Sequence, residues 1–350
     1  MENKIGVITG KFAPLHTGHI NTIIRASTQV DTLVVVLSFD QKFVDMQPQW
    51  LQRRLTLNKR LLWLKKTFED MPHIHITFVD ESNIQAYPEG AKDWAALVRD
   101  ATNHVHIDKW FSSEPDYTVW INEHFPEAEH VLIDPERKLH NVSATMIRNN
   151  PTKYWGFMPS IVRREFLKKI CFIGTESVGK STLTRYLAKM YNTSWVEEYG
   201  RTFCEQDLMM DESLLEYDHY SHIAATRHQM EKEAERTANR ILFCDTNAMV
   251  TQFYCNLYEH RSHPVVDALI DLEHYDAVIH LLDDVPWVDD GLRVNSNRRL
   301  TRAKFQSLIQ NFGVDIGVFG EYHRVSGDYQ KRLSKTIEIV QNLLGENNDQ

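Results

Sequence analysis

The sequence contains no apolar run as long as the roughly 18 residues that a membrane-spanning helix needs. It also lacks a signal-peptide pattern, because the first apolar run, at residues 5–8, does not form an apolar signal core behind a basic region. We therefore expect a cytoplasmic protein that does not insert into membranes.

Cysteine is scarce, with 4 residues in a chain of 350, and no two of them form a close CxxC pair. Cys171 and Cys244 lie inside apolar, strand-like runs, which favours buried thiols. The sequence thus indicates neither a zinc site nor a disulfide framework.

Positive charge is in deficit, since the formal net charge is −9 at pH 7. An acidic chain exerts no general attraction on a nucleic-acid backbone, so we expect no nucleic-acid partner. The proportions of hydrophobic residues (42%) and charged residues (25%) are typical of a folded globular chain without a long disordered tract.

The length and the hydrophobic pattern predict two domains, because 350 residues is about twice an ordinary domain. Short apolar runs alternate with longer amphipathic segments, as in α/β proteins with parallel sheets. The runs lie at residues 5–8, 33–37, 74–79 and 131–133, and the rhythm restarts at 170–173, 194–196, 241–244 and 277–282. With no internal repeat, the pattern predicts two different α/β domains, residues 1–166 and 167–350.

The first candidate site is the loop at residues 10–19, GKFAPLHTGH, between a predicted strand and a predicted helix. A helix N-terminus presents free N–H groups and the positive end of its dipole to a bound phosphate. Gly10 and Gly18 permit close backbone approach, and His16 and His19 can donate hydrogen bonds to phosphoryl oxygens as charge develops. Taken alone, an HxxH pair is better explained as a coincidence or a metal pair.

This loop resembles the HxGH nucleotidylyltransferase superfamily, and residues 142–148, VSATMIR, resemble that superfamily's S-x-T-x-x-R segment. The resemblance implies a Rossmann-like domain that transfers a nucleotidyl group from ATP and releases pyrophosphate. Ser143 would cap a helix while Arg148 clamps the β- and γ-phosphates. The implied ATP site includes Gly10, Lys11, Phe12, His16, His19, Ser143 and Arg148. Alone, the second segment would be a plain helix cap with a surface arginine.

The second candidate site is the segment at residues 174–182, GTESVGKST, which fits the P-loop pattern between a strand and a helix. From Gly174 to Gly179 the backbone would cradle phosphates of ATP, and Lys180 would reach the β- and γ-oxygens. The Ser181 hydroxyl would coordinate Mg²⁺, with Thr182 beside it in the ATP site. We therefore predict a P-loop kinase fold for the second domain.

Two carboxylates follow strands of the second domain. Asp245 closes a predicted strand, at the sheet edge where ligands gather, and is interpreted as a Mg²⁺ or substrate ligand, the alternative being a helix cap. Glu198 is the candidate general base, with Arg201 close behind it in the substrate site. Arg293 is a candidate ATP ligand, and Arg298, Arg299 and Arg302 would form either a mobile lid or a solvated basic helix face.

The order of the two motifs resembles the NadR family, bifunctional nicotinamide mononucleotide adenylyltransferases and ribosylnicotinamide kinases. Further stretches that carry the resemblance are DPER at 134–137, EYGR at 198–201 and WVDDGLR at 287–293. The resemblance implies that nicotinamide riboside is phosphorylated with ATP and that the mononucleotide is then adenylylated to NAD. It also suggests that Trp94 stacks on the nicotinamide ring, the alternative being a core tryptophan.

Some members of that family carry an N-terminal helix-turn-helix and repress transcription. Here the first strand of the transferase begins at residue 5, so we expect no DNA binding. Two other functions stay open on the motifs alone, because residues that hold phosphates do not name the acceptor. One is a different nucleoside or vitamin kinase fused to another nucleotidylyltransferase, and the other is a nucleotide-sensing regulator. The sequence also leaves open whether the chain forms a homo-oligomer.

Overall fold

The computed structural model describes residues 3–86, 88–136, 138–285 and 298–346, apart from the side chains of residues 298–300 and 316. The chain divides into two compact units, Met1–Phe166 and Leu167–Gln350. Within the described residues, no helix combines the length and apolar character needed to cross a membrane.

The first unit is built on a five-stranded parallel sheet with the order β3-β2-β1-β4-β5. Its strands are β1 (Ile5–Gly10), β2 (Thr32–Phe39), β3 (Ile74–Asp80), β4 (Lys109–Ser112) and β5 (Glu129–Leu132). Its helices are α1 (Thr17–Ser27), α2 (Gln41–Asp45), α3 (Gln49–Gln52), α4 (Leu57–Thr67), α5 (Ala91–Ala101), α6 (Tyr117–His124), α7 (Ala144–Asn149) and α8 (Ser160–Phe166), with a 3₁₀ turn at Trp155–Phe157.

The strand order of this sheet reverses at β1, which pairs with β2 on one side and β4 on the other. In open α/β sheets, ligands bind beyond the carboxyl ends of the strands at such a reversal. Val7, in the middle of β1, is fully buried and pairs with Val34 and Trp110, so the apolar run of β1 lies in the core. Gly10 therefore ends β1 at the edge where a ligand is expected.

The second unit is built on another five-stranded parallel sheet, with the order β10-β9-β6-β8-β7. Its strands are β6 (Lys168–Ile173), β7 (Trp195–Val196), β8 (Ile241–Asp245), β9 (Ala277–Leu281) and β10 (Glu321–Val325). Its helices are α9 (Lys180–Met190), α10 (Tyr199–Asp207), α11 (Tyr217–Ala234), α12 (Ala248–Glu259), α13 (Pro264–Leu272), α14 (Arg298–Asn311) and α15 (Tyr329–Leu344), with 3₁₀ turns at Glu212–Leu214 and Val314–Ile316.

Here the strand order reverses at β6, which pairs with β8 and β9, so the loop after β6 lies at the ligand-binding edge. Cys171 and Cys244 lie opposite each other on β6 and β8 and are fully buried, as predicted. The prediction of two α/β sheets with parallel strands is confirmed. It omitted β4 and β10, which complete the two sheets.

Candidate active sites

The loop after β1 brings the two predicted histidines into direct contact. His16 is buried and immediately precedes α1, and its ring stacks on that of His19 with centroids 3.7 Å apart. The Phe12 ring meets His19 edge-on, with centroids 5.1 Å apart. A Cβ atom on Gly18 would lie 3.0 Å from the His16 ring, which is closer than side chains normally pack. A side chain at position 18 would therefore press against the His16 imidazole, so glycine suits this position.

The predicted phosphate clamp is attached to the same loop. Ser143 Oγ accepts a hydrogen bond from the backbone N–H of Met146 at 3.2 Å, so Ser143 caps α7 as expected. Arg148, in the last turn of α7, donates to the Ala13 carbonyl oxygen at 2.6 Å and to Thr145 Oγ1 at 2.9 Å. Partial burial lowers the pKa of Arg148, but a guanidinium keeps its charge at neutral pH. Residues far apart in the sequence thus meet at the loop after β1.

Lys11 directly follows β1, and its ammonium group forms two ion pairs. The Lys11 Nζ atom lies 3.5 Å from carboxylate oxygens of both Asp40 and Glu81. Arg60, which the sequence did not indicate, is fully buried beneath the loop and donates to the carbonyl oxygens of Lys11 and Ser38 at 2.5 and 2.8 Å. Burial lowers the pKa of Arg60 to about 10, while the nearby carboxylates oppose this effect. Arg60 therefore holds the turn that presents Lys11.

A cavity of about 570 Å³ opens beside Lys11 and is lined by Gly10, Lys11, Trp94 and further residues. Trp94 donates from Nε1 to Ser38 Oγ at 3.1 Å, and Ser38 in turn donates to Glu81 at 2.6 Å. The Trp94 ring also packs edge-on against Trp120, with centroids 5.0 Å apart. Both interpretations of Trp94 thus find support, since the residue packs beside the core and forms a wall of the cavity. The sequence did not single out Trp110 and Trp120, which also line the cavity.

The segment after β6 adopts a tight phosphate-binding loop. Gly174 has φ of 145°, and a Cβ atom there would lie 2.6 Å from the Leu281 carbonyl oxygen. Gly179 has φ of 85° and directly precedes α9, so both glycines occupy backbone conformations that other residues rarely adopt. Lys180 begins α9, is buried, and donates from Nζ to the carbonyl oxygens of Gly174 and Thr175 at 3.1 and 3.0 Å.

Ser181 and Thr182 follow in the first turn of α9. Ser181 contacts Asp245, the other predicted Mg²⁺ ligand. Asp245 ends β8 and is buried, and its carboxylate accepts a hydrogen bond from the Ser181 side chain. Burial raises the pKa of Asp245 to about 6, helped by the negative charge of Glu198 and opposed by Lys180. Asp245 does not cap the next helix, because Asn247 caps α12 by accepting from the Val250 N–H at 3.2 Å.

This arrangement fits a divalent cation. Asp245 Oδ1 is buried and has no hydrogen-bond partner among the described residues, and Ser181 supplies a second oxygen beside it. Hard cations such as Mg²⁺ prefer oxygen ligands and are often held by few protein groups together with substrate phosphates. The described part of the chain has no cluster of three or more His, Cys, Asp or Glu side chains suited to a metal.

A narrow cavity of about 90 Å³ lies beside the P-loop and is lined by Lys180, Glu198, Arg201 and further residues. Glu198 directly precedes α10, whereas the neighbouring Glu197 accepts a hydrogen bond from Thr202 at 3.2 Å. Arg201 lines the cavity while pairing with Glu205 at 2.8 Å. The cavity also includes side chains that the sequence did not indicate, namely Glu176, Tyr220, Arg227, Tyr254 and Tyr258.

One further arginine that the sequence did not indicate supports the P-loop. Arg332 on α15 is buried and donates to the carbonyl oxygens of Val178, Leu282 and Gly327 at 2.7 Å each, and it also pairs with Asp284. No sequence pattern points to this role, because three of the acceptors are backbone carbonyls. Arg332 ties the P-loop to the segment that follows β9.

Part of the predicted lid lies outside the described residues, including Arg293, WVDDGLR at 287–293 and the side chains of Arg298 and Arg299. Arg137 of the DPER stretch is also outside them. Arg302 is described, and its exposed side chain lies 3.3 Å from a carboxylate oxygen of Asp283.

Comparison with known proteins finds a matching family for each of two parts of the chain. Residues 7–150 match the cytidylyltransferase-like family, and residues 169–332 match the AAA domain family. Together with the two sheets and their phosphate-binding loops, these matches define a two-domain enzyme that uses nucleotide substrates. A nucleotidyltransferase-like unit is followed by a P-loop unit, which confirms the predicted fold class.

The chain is 37% identical to the trifunctional NAD biosynthesis/regulator protein NadR of Escherichia coli K12, over 99% of this chain and 84% of that protein. It therefore belongs to the NadR family. The protein of the same name from Salmonella typhimurium LT2 is also 37% identical, with the same coverage of 99% and 84%. A crystal structure of a NadR protein in complex with NAD and AMP-PNP matches with a TM-score of 0.82 and 25% identity, covering 98% of this chain and 96% of that one.

Proposed function

We propose that this chain makes NAD in two ATP-dependent steps. The P-loop unit phosphorylates the 5′-hydroxyl of nicotinamide riboside, and the first unit joins the resulting mononucleotide to AMP. Membership of a family whose named relatives act in NAD biosynthesis supports this proposal. The observation that carries it is that each unit has its predicted phosphate-binding loop at the carboxyl edge of a parallel sheet, with a separate cavity beside the loop.

In the first unit, a phosphate oxygen of the mononucleotide attacks the α-phosphorus of ATP, and the bond to the β-phosphate breaks to release pyrophosphate. No protein nucleophile is needed, so the contribution of the chain is positioning and charge stabilisation. His16 and His19 donate to the phosphoryl oxygens, while Arg148 and Lys11 bind the phosphates that leave. Trp94 forms the wall against which the nicotinamide ring stacks.

In the second unit, the acceptor hydroxyl lies in the narrow cavity and Glu198 accepts its proton as the hydroxyl attacks the γ-phosphorus. Lys180 exchanges the carbonyl oxygens of Gly174 and Thr175 for oxygens of the β- and γ-phosphates. Ser181 and Asp245 would hold Mg²⁺, which would neutralise phosphate charge during the transfer. Arg201 contributes to the wall of the acceptor cavity.

The test is turnover by the purified chain. With MgATP and nicotinamide riboside, we expect mass analysis to show nicotinamide mononucleotide first and then NAD. Parallel reactions with other nucleosides and vitamins address a different acceptor, and CTP in place of ATP addresses a different nucleotidyl donor. Conversion of another acceptor but not of nicotinamide riboside would contradict the proposal, and so would ligand binding without turnover, the behaviour of a sensor.

A further inference from the structure

Arg227 is a buried arginine with one paired and one unpaired edge. It lies on α11 with 1% of its surface exposed. Its Nη1 atom donates to Glu231 at 2.8 Å and to Glu273 at 2.9 Å. Its Nε and Nη2 atoms are buried and have no hydrogen-bond partner within the part of the chain that the structure describes. The same side chain lines the acceptor cavity of the P-loop unit.

Unpaired donors of this kind point to a ligand. Buried polar atoms in native proteins nearly always have partners, and those of a charged group are the costliest to leave alone. Nε–H and one Nη2–H of a guanidinium are parallel donors on the same edge, suited to two neighbouring oxygens. Arg227 has no acceptor atom, so its ligand must offer oxygen lone pairs. The two carboxylates on Nη1 fix the direction of the open edge.

The position of Arg227 along the cavity indicates which part of an acceptor it meets. Tyr220, Ile223 and Arg227 line the cavity from one face of α11, and seven residues of helix span about 10 Å. Glu273, which binds Arg227 Nη1, also accepts hydrogen bonds at 3.1 Å from the backbone N–H of Ala248, three positions after Asp245, so Arg227 lies toward the phosphoryl-transfer end of the cavity. Tyr220 is at the opposite end of this span, and its hydroxyl is also buried and has no hydrogen-bond partner among the described residues. A nucleoside whose 5′-hydroxyl is directed toward Glu198 and the P-loop therefore brings its sugar, rather than its base, to Arg227.

We propose that Arg227 binds the acceptor sugar, with Nε and Nη2 donating to the 2′- and 3′-hydroxyl oxygens. The cis-diol of a ribose offers two adjacent oxygens that match the two parallel donors. Arg227 thereby selects ribosides over deoxyribosides and holds the 5′-hydroxyl toward Glu198 and the P-loop. The inference rests on the proposed kinase function of this unit and adds a specificity-determining residue to it.

The experiment compares nicotinamide riboside with its 2′-deoxy and 3′-deoxy analogues in the wild type and in Arg227→Lys. Lysine keeps a positive charge beside Glu231 and Glu273 but lacks the two parallel N–H donors of the guanidinium. In the wild type we expect each deoxy analogue to lower kcat/KM by on the order of 10²-fold, because a donor is left without its partner. In Arg227→Lys, kcat/KM for the riboside itself should fall by a similar factor. Removal of either hydroxyl should then lower kcat/KM by less than about threefold. The KM for ATP should stay within about twofold of the wild type, since Arg227 does not bind the nucleotide.

Adenylylation of nicotinamide mononucleotide in the same samples reports on the other unit, and Lys232→Gln, an exposed change on the same helix, is the matched control. Equal losses on hydroxyl removal in the wild type and in Arg227→Lys would overturn the proposal, because Arg227 would then act only through the fold. If Arg227→Lys does not fold, Arg227→Gln takes its place. Should neither fold, the wild type decides: equal kcat/KM for the three acceptors overturns the proposal, and a tenfold or larger loss on both deletions upholds it.

The same assays distinguish failure of the Arg227 proposal from an error in assigning nicotinamide riboside as the acceptor. In that case the wild type does not phosphorylate nicotinamide riboside but phosphorylates another nucleoside, and the same comparison is made with the deoxy analogues of that nucleoside. A wild type that phosphorylates no nucleoside overturns both proposals.

Discussion

The rings of His16 and His19 stack with their centroids 3.7 Å apart and their planes inclined by 25°. The two residues are three positions apart at the start of α1, so helical geometry brings them to one face. Gly18 lies between them and leaves the space that the His16 ring fills. The pair is thus created by local backbone geometry, and its proposed role can be tested one histidine at a time.

Replacing His19 tests the adenylyl-transfer site. If His19 stabilises charge on the transferring phosphate, His19→Ala should lower NAD formation from nicotinamide mononucleotide by on the order of 10²-fold or more. Phosphorylation of nicotinamide riboside should stay near normal, which serves as the folding control in the same sample. Normal adenylyl transfer by the folded variant would remove this histidine from the reaction.

Replacing Lys180 tests the kinase site and the order of the two steps. Lys180→Ala should not make NAD from nicotinamide riboside, yet it should still make NAD from nicotinamide mononucleotide, because only the first step needs the P-loop. Product analysis with each substrate distinguishes the two conversions. Loss of both in a folded variant would mean that the sites are coupled, and normal riboside conversion would show that the P-loop is not the kinase.

The division between Phe166 and Leu167 predicts that the first unit is autonomous. A fragment of residues 1–166 should be soluble, should unfold cooperatively and should adenylylate nicotinamide mononucleotide. Circular dichroism and the mass assay for NAD check these outcomes. An insoluble or inactive fragment would show that residues beyond 166 complete the core or the site.

The hydrogen bonds of Arg332 predict that its replacement will change both the stability of the second unit and the geometry of the P-loop. Arg332→Met should destabilise the second unit by about 3 kcal/mol or more, because it removes the donor to three carbonyl oxygens and the ion-pair partner of Asp284. The KM for ATP in the kinase step should rise as well, since the Val178 carbonyl belongs to the P-loop. Lys331→Met is the matched control, as the adjacent Lys331 side chain is 76% exposed. Equal melting temperatures and equal KM values for the two variants would contradict this role.

The lowered pKa of His280 predicts that the second unit becomes less stable as the pH falls. Burial, helped by the charge of Arg324, lowers the pKa of His280 to about 4, whereas in the unfolded chain it is about 6.5. The folded state therefore resists protonation, so this contribution is complete above pH 6.5 and is lost as the pH falls toward 4. Between pH 7.5 and pH 5 the loss is about 2 kcal/mol.

His280→Gln should remove that part of the pH dependence, because glutamine does not titrate and can still bond to the Tyr322 hydroxyl, 2.7 Å from His280 Nδ1. Denaturant unfolding at the two pH values measures the difference. Identical pH slopes for wild type and variant would refute the assignment.

The strands that the sequence pattern missed show where such patterns fail. β4 consists of Lys109, Trp110, Phe111 and Ser112, a core strand too short to form an apolar run of its own. β10 is an edge strand in which Val325 is the only buried residue of Glu321–Val325, so its apolar periodicity is weak. Both strands gain their place from pairing with neighbours in the sheet rather than from their own composition.

By itself the sequence determined the parts that consecutive residues build. The stacked histidines, the Ser143 cap and the P-loop each lie within one loop and the helix that follows, so fixed local geometry converts spacing into position. Only the tertiary structure decided what surrounds them. Trp94 bonds to Ser38 across 56 positions, and Arg332 bonds to Val178 across 154, often through backbone atoms that carry no side-chain signature. Such contacts follow from how the sheets and helices pack, because packing brings together residues that are far apart in the sequence.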